Sequence, residues 1–292
     1  MTSAASDALA IARYHIVLVA MTASVVFGWI LTGRYELALT LLVAVDWFVI
    51  NLTNRITDID EDLANGIPGT ERVARSKRLL VALAIALVVG SFAVTWFVWP
   101  ALIPWRALVQ AIGLAYNYRL VPTPRGFKRF KEIYFLKNFM SAVLFVLTCV
   151  EYPLAANGVR FGATAAALVL FFVPFELTYE VLYDVRDVEG DRAEGIPTFP
   201  VVHGLPATRN ILAALLFLSG ASLAGALVLR VVHVREGLMM FALAIQYAFY
   251  RSRWSRGITT RDCIVVTHQG TALLILFLIG TALWQRAGLP SP

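Results

Sequence analysis

The chain is poor in charge. Only 15% of its 292 residues are Asp, Glu, Lys or Arg, whereas 59% are hydrophobic. Soluble globular domains carry about one quarter charged residues, and disordered chains contain few apolar ones, so this composition excludes both classes. Because the mean hydropathy is +0.72, the sequence predicts an integral membrane protein.

Cysteine is also scarce. Cys149 and Cys263 fall in different apolar segments and no CxxC spacing occurs, so we expect neither a disulfide bridge nor a zinc site. The first 13 residues lack a basic leader followed by a short apolar core, so we expect a retained first helix and no removable signal peptide. The net charge of +6 is typical of basic loops at a membrane face, and we expect no nucleic-acid partner.

Apolar segments of about 20 residues, the length of a helix that crosses a bilayer, occur nine times. The predicted spans cover residues 14–33, 36–56, 79–99, 101–118, 133–153, 161–183, 210–232, 237–250 and 264–284. The eighth is short. Open strands cannot satisfy their backbone groups in lipid, so the predicted fold is an all-α integral membrane protein, a nine-transmembrane-helix bundle forming a single domain over residues 1–292.

Lys and Arg gather in alternate loops of this predicted bundle. Nineteen of the 25 lie on the side that holds the N-terminus and the loops after the second, fourth, sixth and eighth spans. The positive-inside rule predicts that this side is cytoplasmic. We therefore expect a multi-pass protein of the cell (inner) membrane with a cytoplasmic N-terminus.

Two acidic segments follow the second and the sixth predicted spans, on the same predicted side. The i, i+4, i+8 spacing of the first set places it on one helix face if the second helix continues past the membrane surface, and the i, i+3, i+7 spacing does the same for the second set. The residues are Asn54, Asp58 and Asp62 in the first segment and Asp184, Asp187 and Asp191 in the second. Two such faces on one cavity favour Mg²⁺, which takes oxygen ligands and shares its coordination with substrate phosphates.

The two acidic segments lie four predicted helices apart. This separation suggests two related halves, helices 1–4 and 5–8, with the ninth helix appended.

The letters of both segments resemble the UbiA superfamily of intramembrane prenyltransferases. NRITDIDED, residues 54–62, is similar to the family's NDxxDxxxD, and DVRDVEGDRAEGIPTFP, residues 184–200, is similar to its DxxDxEGDxxxGIxTxP. The resemblance implies transfer of a prenyl group from an isoprenyl diphosphate to a lipophilic, most often aromatic, acceptor in the bilayer. It also implies two Mg²⁺ ions on the six polar residues above, with Asp58 and Asp191 essential for catalysis. Ionisation of the diphosphate would then yield an allylic cation.

The resemblance further implies cationic and hydrogen-bonding contacts to the diphosphate. Lys131 and Lys137 are the main candidates, and the others are Tyr118, Arg72, Lys77 and Arg192. We expect the cytoplasmic loops at about residues 57–78, 119–132 and 184–209 to close as lids that exclude water. Two positions depart from the family pattern: Arg55 replaces an acid, which removes or alters one metal contact, and Tyr179 replaces a frequent basic residue.

Asp46 lies in the middle of the second predicted span, where an unpaired charge is costly. One hypothesis is that it lines the acceptor or prenyl pocket and acts in catalysis. The other is a polar clamp to Gln110, Thr178 or another helix. For the remaining intramembrane polar groups we expect interhelical hydrogen bonds, although Glu180, one turn before Asp184, could also support the second metal site.

Two alternatives to prenyl transfer remain. A membrane terpene cyclase of the same fold would ionise the same diphosphate but close the cation on its own double bonds, without an acceptor. A transporter would use carboxylates for a coupling ion. Transporters bind such ions near the membrane midplane, whereas both acidic segments lie at one predicted face, which disfavours this alternative.

Overall fold

The structure is a computed structural model, and it describes residues 11–64, 67 and 69–288, without the side chains of residues 61 and 64. The prediction about a leader concerns residues 1–13, of which the first ten lie outside the described residues. In chain order the helices are α1 (Tyr14–Thr32), α2 (Leu37–Thr57), α3 (Ile59–Ala64), α4 (Thr70–Val98), α5 (Ile103–Asn117), α6 (Leu136–Val146), α7 (Tyr152–Ala156), α8 (Ala163–Glu194), α9 (Phe199–Val228), α10 (Met240–Arg253) and α11 (Thr260–Arg286).

Short elements connect these helices. A hairpin of β1 (Val121–Thr123) and β2 (Gly126–Lys128) pairs antiparallel, with Val121 opposite Lys128. Tighter helical turns occupy Pro100–Leu102, Phe130–Glu132, Glu236–Met239 and Trp254–Arg256, and a π-helical segment, Leu147–Glu151, joins α6 to α7. The all-helical prediction is confirmed apart from this one hairpin in the described part of the chain.

Within the described residues, seven helical segments are long and apolar enough to cross a membrane. The fourth and eighth predicted spans correspond to α5 and α10, which have 15 and 14 residues. At about 1.5 Å per residue such helices are shorter than the hydrocarbon core of a bilayer, about 30 Å thick. A multi-pass membrane protein is therefore confirmed, whereas the count of nine transmembrane helices is not.

The chain folds as two compact units. Unit 1 comprises the described residues up to Ile133 together with Leu147–Val159, and unit 2 comprises Tyr134–Val146 and the described residues from Arg160 onward. Both cysteines are buried, and each unit contains one of them. The organisation as two related halves with a ninth helix stays a prediction.

In unit 1, α2 packs against α5 at a position that requires glycine. A Cβ atom added to Gly113 would lie 2.7 Å from Cγ1 of Ile50. The Trp47 indole donates to Thr148 Oγ1 at 3.1 Å, which ties α2 to the π-helical segment. These contacts fix the end of α2, where the first acidic segment begins.

In unit 2, α8 runs through the second acidic segment as one helix of 32 residues. It ends at Glu194 and is capped by Gly195, whose φ of 69° suits glycine. Helix α9 starts at Phe199 and is kinked at Gly204. The predicted lid loop at 184–209 is therefore helical except at residues 195–198. In the other two predicted lid loops, 57–78 contains α3 and the start of α4, and 119–132 contains the hairpin. Whether these segments close as lids stays a prediction.

Candidate functional site

Asp58 ends helix α2. Its backbone N–H donates to the Asn54 carbonyl at 3.0 Å, but its φ of −103° and ψ of 25° leave the helical region, and α3 begins at the next residue. The condition for one shared face, that helix 2 continues through Asp62, is therefore not met, because the chain turns at Asp58. The Asn54 side-chain amide donates to the Asp58 carboxylate across this turn.

The Asp58 carboxylate is buried and ion-paired. Lys131 Nζ donates to its Oδ2 at 2.8 Å, and Arg129 Nη1 donates to its Oδ1 at 3.4 Å. Lys131 is itself 4% exposed. Unit 1 therefore brings a predicted diphosphate-binding lysine onto a predicted metal ligand.

Glu132 holds the turn that presents Lys131. Its carboxylate accepts from the Arg129 backbone N–H at 3.1 Å, from Arg129 Nε at 2.9 Å and from Arg119 Nη2 at 3.2 Å. Burial by itself raises the pKa of Glu132, but these hydrogen bonds outweigh it and the net pKa is lowered. Sequence reasoning missed Glu132, although an acid three residues after Arg129 is a signal for a capped turn.

Asp62, the last polar residue of the first segment, pairs with Arg55. Nη1 of Arg55 lies 2.5 Å from Oδ2 of Asp62, and the arginine side chain is 3% exposed. The residue that departs from the family pattern thus supplies a buried positive charge to a predicted metal ligand.

In unit 2, two carboxylates of α8 converge on one ammonium group. Lys137 Nζ lies 3.0 Å from Oδ1 of Asp184 and 3.0 Å from each carboxylate oxygen of Asp191. Asn138 Nδ2 donates to the other oxygen of Asp184 at 2.7 Å. Asp184 and Asp191 are 2% and 6% exposed, so the i, i+7 spacing does place them together on a buried helix face.

Other predicted site residues lie apart from these carboxylate pairs. Asp187 is ion-paired with its neighbour Arg186 and its side chain is 43% exposed. Arg192 pairs with Glu189 at 3.2 Å on the exposed side of α8. Tyr179, the second position that departs from the family pattern, packs its ring against Phe175, with the ring centroids 5.4 Å apart.

The remaining candidates for diphosphate contact are dispersed in unit 1. Tyr118 follows the end of α5 and is 45% exposed. Arg72 is in the first turn of α4, and Lys77, five residues further along the helix, is exposed. Among the described residues, neither Tyr118 nor Lys77 hydrogen-bonds to a carboxylate of either acidic segment.

The carboxylate oxygens of Asp184 and Asp191 are ligands that suit a hard cation. Within the described residues, no group of three or more His, Cys, Asp or Glu side chains is arranged to hold a metal ion. Asp184 and Asp191 nevertheless surround one positive centre, the Lys137 ammonium, with buried oxygen atoms. Oxygen ligands of this kind fit Mg²⁺, which binds through one or two carboxylates and completes its shell with water and phosphate.

Asp46 lies in a polar cluster of unit 1, in which Asp46, Arg106 and Tyr152 are fully buried. Arg106 donates to both carboxylate oxygens at 2.6 and 3.0 Å, Gln110 donates to Oδ1 at 2.8 Å, and the Tyr152 hydroxyl donates to Oδ2 at 2.9 Å. Gln110 had been predicted as a clamp partner, whereas Thr178 instead accepts from Gln246 at 3.2 Å. Sequence reasoning missed Arg106, the only arginine inside its predicted span. A catalytic role of Asp46 stays a prediction.

Comparison with known proteins agrees with both motifs. A sequence model of the UbiA prenyltransferase family matches residues 50–263, which include both acidic segments. The chain is 27% identical over 182 residues to a digeranylgeranylglyceryl phosphate synthase of Methanothermobacter thermautotrophicus, a match that covers 60% of this chain and 59% of the relative. The enzyme of the same name from Thermococcus sibiricus is 28% identical over 65% of this chain and 63% of its own length. The chain thus matches less than two thirds of each relative.

A solved structure shares the fold. A UbiA homologue from Archaeoglobus fulgidus, bound to GPP and Mg²⁺, superposes with a TM-score of 0.71 at 20% sequence identity, over 93% of this chain and 97% of that one. At this identity the likeness shows the fold. Since the family model matches most of the chain, including both acidic segments, the protein belongs to the UbiA prenyltransferase family.

Proposed function

We propose that this protein transfers a prenyl group from an isoprenyl diphosphate to a lipophilic acceptor within the bilayer, in a Mg²⁺-dependent reaction. One observation carries the proposal: Asp184 and Asp191, both buried, converge on the Lys137 ammonium at 3.0 Å. A site for a metal-bound diphosphate needs such carboxylates for the cation and such a lysine for the phosphates. Family membership and the names of the two relatives support the same reaction class.

The residues that would hold Mg²⁺ are Asn54, Asp58 and Asp62 in unit 1 and Asp184, Asp187 and Asp191 in unit 2. When bound, Mg²⁺ neutralises the leaving diphosphate and favours its departure. Lys131 and Lys137 would release their carboxylates and donate hydrogen bonds to phosphate oxygens. The C1–O bond then breaks with its electron pair on the diphosphate, and the allylic cation alkylates the acceptor, which loses a proton. Two ions serving one diphosphate stay a prediction.

The acceptor is the open part of this proposal. An aromatic acceptor is implied by the sequence resemblance. A glyceryl phosphate lipid is the second candidate, favoured by the names of the two relatives. The cytoplasmic orientation of the acidic segments rests on the distribution of Lys and Arg and is part of the proposal.

The test is product formation by the purified protein in detergent. The protein is incubated with Mg²⁺ and geranyl, farnesyl or geranylgeranyl diphosphate, first alone and then with 4-hydroxybenzoate or geranylgeranylglyceryl phosphate. We expect an adduct heavier by one prenyl unit, visible by mass spectrometry, together with released diphosphate. Asp191→Asn should abolish the product, whereas Glu189→Gln, a change of an exposed acid on the same helix, should not.

Two outcomes would contradict prenyl transfer. A cyclised terpene formed without any acceptor would make the protein a terpene cyclase. Failure of the wild-type protein to bind geranylgeranyl diphosphate with Mg²⁺, measured by calorimetry, would remove the diphosphate as its substrate.

A further inference from the structure

A second row of acidic groups lies beneath the carboxylates of unit 2. Glu176 and Glu180 precede Asp184 by two turns and one turn of α8, so the three share one helix face. The facing helix α6 confirms this arrangement, because Lys137 and Asn138 contact Asp184, and Ser141, one turn further along α6, contacts both glutamates. Glu176 lies about 12 Å from Asp184 along the helix axis.

Glu176 is buried, and one of its two carboxylate oxygens has no hydrogen-bond partner among the described residues. The residue is 5% exposed. Its Oε1 accepts from the Ser141 hydroxyl at 3.2 Å, but its Oε2 is buried and has no hydrogen-bond partner among the described residues. A buried carboxylate oxygen without a donor is costly, and in native proteins such an atom points to a missing partner. A ligand with a hydrogen-bond donor would supply one.

The two glutamates share the Ser141 hydroxyl. Its Oγ lies 3.2 Å from Oε1 of Glu176 and 2.9 Å from Oε1 of Glu180. A hydroxyl group has one proton, so it can donate to one glutamate and must accept from the other. When both contacts are hydrogen bonds, one glutamate is protonated and donates to the Ser141 oxygen. The other glutamate accepts the Ser141 proton and can itself be ionised.

We propose that Glu176 binds a hydroxyl group of the acceptor and takes the proton that this group loses on prenylation. The inference rests on the proposed function and names the acceptor's reacting group. The C1–O bond of the isoprenyl diphosphate breaks with its electrons on the diphosphate, the acceptor oxygen bonds to C1, and the O–H proton passes to Oε2 of Glu176. Ser141, which contacts both glutamates, and Glu180 act as positioning residues for Glu176.

The position along α8 suits this role. A diphosphate at Asp184 and Asp191 would direct its prenyl chain toward the apolar part of the helix, where Glu180 and Glu176 follow. The acceptor oxygen must meet C1 on that side, because the diphosphate end is occupied by the leaving group. The hydroxyl group could belong to a phenol or to an alcohol, and both are tested.

The main variant is Glu176→Gln, which keeps the shape and the contact to Ser141 but cannot take a proton. We expect kcat for transfer to 4-hydroxybenzoate or geranylgeranylglyceryl phosphate, whichever the wild-type protein uses, to fall by about 100-fold, as for loss of a general base. Calorimetric binding of geranylgeranyl diphosphate with Mg²⁺ should stay within about twofold of wild type, because the diphosphate site is a separate part of α8. The matched control is Thr178→Val, a buried change on α8 that removes a hydroxyl outside this cluster.

Three results would separate the outcomes. Unchanged kcat and acceptor KM in Glu176→Gln would overturn the inference while leaving the proposed function intact. Parallel loss of diphosphate binding and transfer in Glu176→Gln, but not in Thr178→Val, would mean a structural role and would also overturn it. Absence of diphosphate binding by the wild-type protein would instead overturn the proposed function.

A ligand-based measurement avoids any folding defect of the variant. The wild-type protein should bind the active acceptor more tightly than its methyl ether, which lacks the O–H donor, by tenfold or more. Equal binding of the hydroxyl compound and its ether by the wild-type protein would overturn the inference.

Discussion

The Lys131 ammonium donates to the Asp58 carboxylate at 2.8 Å, and both side chains are buried. A residue proposed to contact the diphosphate is thus bound to a residue proposed to hold the metal. Unit 2 repeats this relationship with Lys137 and Asp191 at 3.0 Å. In each unit the lysine is ion-paired with the carboxylate, and in the proposed reaction a metal-bound diphosphate would offer both groups a replacement partner.

Removing Lys131 should separate metal binding from diphosphate binding. In Lys131→Met, Asp58 loses its main positive partner, so we expect Mn²⁺ to bind more tightly without substrate. Affinity for geranylgeranyl diphosphate should fall by about tenfold, since one charged hydrogen bond is lost. Calorimetry with Mn²⁺ alone and then with the diphosphate checks both. Lys128→Met is the control, and an equal loss of diphosphate affinity there would contradict a specific role of Lys131.

The Arg55–Asp62 pair should show strong energetic coupling. Arg55→Leu leaves a mostly buried carboxylate without its guanidinium, which we expect to lower the free energy of unfolding by about 3 kcal/mol. In Arg55→Leu/Asp62→Leu no charge is left uncompensated, so the double variant should be more stable than either single one. Thermal unfolding of the wild type, the two single variants and the double variant in one detergent gives a double-mutant cycle. Additive effects would show that the 2.5 Å contact contributes little to stability.

A substitution of Asp46 distinguishes a structural role as a polar clamp from a catalytic role. Four donors from Arg106, Gln110 and Tyr152 fill both of its oxygens, which favours the clamp. In Asp46→Asn we therefore expect a lower Tm, because Arg106 is left buried without its counter-charge, and an unchanged kcat for the folded protein. The measurement pairs a melting curve with turnover at saturating acceptor. A lower kcat at unchanged Tm would instead assign Asp46 to catalysis.

Glu132 should give the Phe130–Glu132 turn a pH-dependent stability. Its pKa in the folded protein is lowered from the ordinary 4.5, so its contribution is fully present above that ordinary pKa. The contribution is lost as the pH falls through the lower folded-state value. Tm of wild type should exceed that of Glu132→Gln at pH 7, and the difference should shrink in acid. A difference that stays constant from pH 7 to pH 3 would contradict this account.

The membrane class and the location of both acidic segments could be predicted from the sequence, because they depend on local composition and helical period. Asp184 and Asp191 share a face of one continuous helix, as their spacing required. The same argument was wrong for Asp58, where the chain leaves α2. A helix end depends on the contacts beyond it, here the Lys131 and Arg129 side chains that meet the carboxylate.

The partners of these carboxylates were decided by the tertiary structure. Sequence resemblance suggested which lysines matter, but the contacts of Lys131 with Asp58 and of Lys137 with Asp191 join residues 73 and 54 positions apart. Arg106, 60 positions from Asp46, and Ser141, shared by two glutamates of α8, were not foreseen. The spacing of residues along the sequence determines which side chains share one face of a helix. A buried charge is stable only with a partner, and which residue becomes that partner depends on how the other helices pack around it.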